Sequence, residues 1–303
     1  MGYKSKYIDP YYSDSERNSG QMNIQNKKRT KRNLIIFIVL VLGLAALAGV
    51  IEPLTVPPGA EPGTSGLGQL LWILVPLVVM LALRIFGGDG WSDFGLRPNF
   101  KGNGFWWLVS ILVFPIVITI SVVIGILLGG IVLDVNMASV FLTALIPGLI
   151  TAVIKNIFEE FSWRGYLAPK VYSLNMNIWL SHAIVGLVWG AWHLPFVFVF
   201  WPYLTANMLW YFVPLLLVGT ISQSVVYGEI RLATDSVLPA WLMHTIGNAL
   251  GNALILSGFI QLSQGKELWF SPGAESIISI LLMFAVGYWL HRRRKNSEVT
   301  SNS

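Results

Sequence analysis

Apolar runs of about twenty residues, the length that crosses a bilayer core as a helix, recur along this chain and limit what it can fold into. They lie near 34–51, 68–86, 105–129, 142–168, 178–200, 207–227, 236–257 and 274–290. The expected fold class is therefore all-α: a polytopic integral membrane protein of about eight transmembrane helices around a buried polar site. Composition agrees. The chain is 54% hydrophobic and only 12% charged over 303 residues, against about 25% charged in soluble domains. Many of its 13 Trp and 10 Tyr stand near the ends of the runs, as interfacial belts do. Cysteine is absent, which removes disulfides, thiolate metal sites and a cysteine nucleophile together.

Lys and Arg set the expected orientation. Residues 1–33 are polar and end in Lys27-Lys28-Arg29-Thr30-Lys31-Arg32. They read as a disordered cytoplasmic tail, with no small-residue cleavage site of a signal peptide after them. A transmembrane bundle is expected over 34–290 and a basic cytoplasmic tail over 291–303, beginning near Arg292-Arg293-Arg294-Lys295. Segments 52–67, 130–141 and 201–206 carry no Lys or Arg, and 258–273 carries Lys266 alone. The opposite connections hold Arg97, Lys101, Lys170 and Arg231. Both termini are thus expected on the cytoplasmic side of the cell membrane. The net charge of +5 sits at the two ends and reads as this topology signal, with no nucleic acid as partner. The 52–67 segment, with Pro53, Pro57, Pro58 and Pro62, is expected as an irregular exterior loop. The 87–104 segment reads as a cytoplasmic connector. No repeat of fixed period and no inverted pair of broken helices is present, which speaks against a transporter.

Against this background the stretch Phe158-Glu159-Glu160-Phe161-Ser162-Trp163-Arg164 stands out. A charge at mid-membrane costs roughly 2.5–3.5 kcal/mol even on the lenient insertion scale, so function is the default explanation. Glu160 and Arg164 are four apart and share a helix face, where they can satisfy each other. Lys155 and Glu159 are also four apart, so Glu159 is either a second structural ion partner or a carboxylate turned to the bundle interior. His193 precedes Pro195, which is expected to bend or end its helix and free backbone groups. It serves either as a helix–helix contact or in a site. His182 reads as interfacial. His244 and Asn248 share one face of the seventh run, beside Gly247 and Gly251, which allow close helix approach. They serve either as polar glue or as site residues, and Asn252 continues that face. The runs holding Glu159, His193 and His244 have midpoints near 155, 189 and 246. Three helices thus bring a carboxylate and two imidazoles to similar depth.

A carboxylate with a neutral imidazole can activate water, and a second imidazole with an amide can donate to a developing oxyanion. That set suits amide hydrolysis. Zinc held by Glu159, His193 and His244 is the alternative, with one position open for water. The sequence has no His-Glu-x-x-His, Gly-x-Ser-x-Gly or Walker pattern.

These residues resemble the CAAX-protease and bacteriocin-processing (CPBP, or Abi) intramembrane endopeptidases, relatives of the type II CAAX prenyl endopeptidases. The family pattern is Glu-Glu-x-x-x-Arg, Phe-x-x-x-His and His-x-x-x-Asn or Asp, each on its own helix. It is matched by Glu159-Glu160-Phe161-Ser162-Trp163-Arg164, by Trp189-Gly190-Ala191-Trp192-His193 with Trp in place of Phe, and by His244-Thr245-Ile246-Gly247-Asn248. The Trp is expected to be a conservative packing change. The resemblance covers roughly 100–255. It implies an intramembrane peptidase acting on a membrane-associated peptide or protein in the lipid bilayer. By position it implies that Glu159 and His193 activate water and that His244 and Asn248 stabilise the oxyanion, with Glu160 and Arg164 supporting. It makes no cofactor certain and leaves zinc-dependent and metal-free forms open. The other reading is a non-catalytic membrane scaffold or immunity protein that keeps the helices to bind a partner.

Overall fold

Every expected apolar run is a helix in the computed structural model, which describes residues 24–59, 65–201 and 203–301. The eight long helices are α1 (Ile24–Thr55), α2 (Leu67–Ile85), α3 (Gly104–Leu127), α4 (Ala138–Ser162), α5 (Ile178–His193), α6 (Leu209–Thr234), α7 (Leu238–Leu256) and α8 (Ile277–Ser301). A small antiparallel pair, β1 (Ile131–Leu133) and β2 (Ile260–Leu262), ties the end of α3 to the segment after α7. Among the described residues, six helical stretches are long and apolar enough to cross a membrane, ending with Ala206–Thr234. The helices at the seventh and eighth expected spans fall outside that six for different reasons. His244, Asn248 and Asn252 dilute the apolar content of α7, and α8 carries Arg292, Arg293, Arg294 and Lys295 in its second half. The architecture is that of a multi-pass, all-α membrane protein.

The burial pattern is inverted relative to a soluble protein. On α4, Leu142 and Ile146 are 62% and 67% exposed, whereas Asn156, Glu159 and Glu160 are fully buried. Water would penalise that outer face, and lipid does not. The core of the bundle forms where α4 packs on α7 and α2, and where α6 lies between α5 and α8. Gly186 on α5 faces the Ile221 backbone of α6 so closely that any side chain would clash. Two indoles fasten α2 to α5. Trp72 and Trp192 stack with centroids 3.9 Å apart, and each N–H donates to the other residue's carbonyl, at 2.8 and 3.3 Å.

Both ends of α1 and the C-terminal end of α8 differ from the sequence expectation. α1 begins at Ile24, so Lys27–Arg32 are helical and not tail; residues 1–23 lie outside the described residues. α1 also continues through Pro53 to Thr55, shortening the exterior loop. At the other end α8 continues to Ser301, so the basic segment is a helical extension. The short return after α1 is closed by Glu52. Its carboxylate accepts from the backbone N–H groups of Gly66 at 2.8 Å and Gln69 at 2.6 Å, while Thr55 Oγ1 accepts from Leu67 N–H at 2.9 Å. These are the donors that a helix N-terminus leaves unsatisfied. Replacing Glu52 with Ala should cost about 1–2 kcal/mol, read as a lowered midpoint of thermal unfolding in detergent; an unchanged midpoint would contradict the capping role.

Candidate active site

The site starts from a local irregularity in α4. After Ser162 the helix widens into a π turn over Trp163–Leu167, then continues as a short α segment, Ala168–Tyr172. Pro169 explains the change, because it supplies no N–H and its ring crowds the preceding turn. Two carbonyls before it are served from outside. Arg231 Nε donates to Arg164 O at 3.0 Å, and Arg84 donates to Gly165 O. The same two arginines bind the 87–104 connector, Arg231 at Asp93 O (2.8 Å) and Arg84 at the Asp93 carboxylate (2.9 Å). Phe94 rests against Gly165, where a Cβ would strike its ring. The π turn is thus clamped, and Arg164 with it.

Glu160 and Arg164 pair as their spacing predicts, at 2.9 Å between Oε1 and the guanidinium. The same Oε1 also accepts from His244 Nδ1 at 2.8 Å. Glu160 is therefore more than a partner for Arg164: it orients the first residue of the third motif. The Arg164 guanidinium lies between two aromatic faces, 4.4 Å from the Trp189 centroid and 4.1 Å from that of Tyr227. Cation–π contact of this kind strengthens when desolvated.

Glu159 is fully buried. Trp189 Nε1–H donates to its Oε2 at 3.0 Å, and Lys155 Nζ lies 3.1 Å from its Oε1. The Lys155 ion pair anticipated from the sequence is thus formed, and Glu159 still shares its electrostatic surroundings with His193 and His244. Trp189 is the connector. Its indole N–H holds Glu159, while its carbonyl accepts from His193 Nδ1 at 2.9 Å. Because a carbonyl only accepts, His193 Nδ1 carries the proton and Nε2 keeps its lone pair. The Trp that replaces the family's Phe is not merely conservative packing, since Phe has no N–H to give Glu159. α5 ends at His193 and a 3-10 turn, Leu194–Phe196, carries Pro195.

Asn248 donates through Nδ2 to Asn156 Oδ1 at 3.0 Å. Asn156 and Glu160 on α4 thus face Asn248 and His244 on α7 as two polar rungs four residues apart. The sequence reading missed Asn156. Its spacing to Glu160, matching that of His244 to Asn248, was the available signal. Tyr227, whose ring centroid is 5.7 Å from that of His244, was also missed. Among the described residues no three His, Asp or Glu side chains are grouped closely enough to hold a metal ion. Glu159 is engaged by Lys155 and Trp189, whereas His193 and His244 each commit Nδ1 to a protein acceptor and keep Nε2, as metal-ligating imidazoles also do.

His182, expected near the membrane interface, is fully buried within the bundle. Its Nε2 meets Glu229 Oε1 at 3.0 Å and its Nδ1 meets the Tyr172 hydroxyl at 3.1 Å. Glu229 also binds His291 at 2.9 Å and Arg294 at 2.6 Å on α8. The sixth run had been expected to end at 227; α6 continues to Thr234 and carries Glu229 and Arg231 into the core.

Residues 139–250, just over a third of the chain, match the family model described as type II CAAX prenyl endopeptidase Rce1-like. The match contains Glu159, Glu160, Arg164, His193, His244 and Asn248. A protein of Methanococcus maripaludis described as CAAX prenyl protease 2 is 30% identical over 93 residues, covering 30% of this chain and 34% of that relative. The chain thus aligns with about a third of the relative's length. Both comparisons support a CPBP/CAAX protease family for this segment.

The Trp189 bridge is testable without an activity. Trp189→Phe should destabilise the protein by about 1.5–3 kcal/mol, the worth of a hydrogen bond to a charged group. In a Glu159→Leu background the same change should cost much less. Equal costs in both backgrounds, by unfolding in detergent, would contradict the bond.

Proposed function

With family support across residues 139–250 as the premise, we propose that this chain is an intramembrane endopeptidase. It hydrolyses a peptide bond in a membrane-associated protein or peptide, using water activated by Glu159 and His193. The observation that carries this reading is Trp189, which binds both residues and so joins the first motif to the second. We place the protein in the cell membrane with both termini cytoplasmic, following the Lys and Arg bias.

The chemistry follows from the protonation pattern. His193 Nε2 has a lone pair and takes a proton from the attacking water, while Glu159, held by Trp189 and Lys155, orients that water. The water oxygen adds to the scissile carbonyl carbon, and the carbonyl π electrons move to its oxygen. His244 and Asn248 face this oxyanion. Glu160 holds His244 by Nδ1, leaving Nε2 as the imidazole's other polar atom. When the tetrahedral intermediate collapses, the C–N bond breaks. The proton held by His193 passes to the leaving nitrogen.

Comparative peptidomics of cells carrying wild-type protein or Glu159→Ala tests the reading. Products present with wild type and lost in the variant are expected, with the variant retaining its fold. An unchanged product profile would support the scaffold reading instead. Purified wild type should keep its cleavage rate after exhaustive chelation; loss of activity restored by zinc would require a metal-dependent mechanism.

A further inference from the structure

Buried polar atoms without hydrogen-bond partners concentrate at the candidate site. Of thirteen such side-chain atoms among the described residues, six are Asn156 Nδ2, Glu159 Oε1, Glu160 Oε2, Arg164 Nε and NH2, and Tyr227 OH. Three of the six have a visible account. Glu159 Oε1 has the Lys155 ammonium. The guanidinium nitrogens of Arg164 lie against the Trp189 and Tyr227 rings. Glu160 Oε2 and Tyr227 OH have no hydrogen-bond partner among the described residues. Asn156 Nδ2 has no such account. Its residue is fully buried, and its amide is oriented by the bond from Asn248 to Oδ1. Both N–H groups of Asn156 therefore remain to be given.

A buried amide donor left unpaired costs about 1–3 kcal/mol, and a helix face built for packing alone would carry an apolar residue there. Asn156 lies three residues before Glu159 and four before Glu160, on the inward face of α4. It bonds the residue assigned to the oxyanion from the opposite helix. We infer that Asn156 is a further catalytic residue, whose Nδ2–H donates directly to the scissile carbonyl oxygen alongside Asn248. The substrate it serves is the amide carbonyl of a peptide. Its donor strength matters most as water adds to the carbonyl carbon and negative charge moves onto that oxygen. No proton leaves Asn156 in this step. This inference rests on the peptidase reading above.

The test measures kcat and KM for a cleaved peptide with wild type, Asn156→Leu, Asn248→Leu and the double variant in liposomes. Asn156→Ala replaces Asn156→Leu if the latter does not fold. As an independent donor, Asn156 should lose roughly 10²-fold in kcat when removed, with little change in KM. The double variant should then fall well below either single variant. If Asn156 only holds Asn248 in place, its removal will have no effect in the Asn248→Leu background, which overturns the donor role. Full kcat in Asn156→Leu overturns it as well. The peptidase reading fails separately, when wild type and Glu159→Ala cleave equally or not at all, and the role proposed for Asn156 fails with it.

Discussion

One carboxylate oxygen joins the first and third motifs. Glu160 Oε1 receives Arg164 from its own helix and His244 from α7. A single charge in such a core would be costly, and removing one member of a buried pair commonly costs 3–5 kcal/mol. Sharing the oxygen makes the cost of burial serve registry. Arg84 and Arg231 bind the carbonyls of the π turn that carries Arg164, and His244 reaches the same oxygen across the α4–α7 contact. Asn156 and Asn248 repeat the contact one turn along. The neighbouring Glu159 is thereby left to Trp189 and Lys155, on the side from which α5 brings His193.

The bundle contains a second buried carboxylate with a different character. Glu229 is surrounded by His182, His291 and Arg294 from two other helices. Gly228 lets the His182 ring and the Tyr172 hydroxyl approach the α6 backbone. This cluster anchors the basic half of α8 to the core. It accounts for a helix that continues through Arg292–Lys295 instead of fraying into a tail. Outside the spans, burial beside Glu275 pushes the Tyr203 phenol above its ordinary range, so Tyr203 remains a neutral donor to Glu275 at 2.8 Å.

The sequence disclosed what depends on period and spacing. Eight runs became eight helices, and four-residue spacing gave the Glu160–Arg164 and Lys155–Glu159 pairs. Pro195 marked the end of α5. What it did not disclose depends on contacts between distant segments. Asn156 looks like one polar residue in an apolar run until Asn248 lies opposite it. Trp189 reads as a packing aromatic until its indole N–H meets Glu159. Glu229 and Arg231 were set outside the sixth run because hydropathy falls there, and only their partners on other helices show why α6 can carry them inward. The π turn follows from Pro169, but its donors come from residues 84 and 231, far away in the chain.

In the proposed mechanism Glu159 and His193 act on one water molecule. Single-turnover cleavage in liposomes by Glu159→Gln, His193→Gln and the double variant tests it most directly. Two groups serving one water should be strongly non-additive, as residues that act as a unit are. The double variant should be about as slow as the slower single variant. Losses that multiply would contradict a shared water and assign the two residues to separate steps.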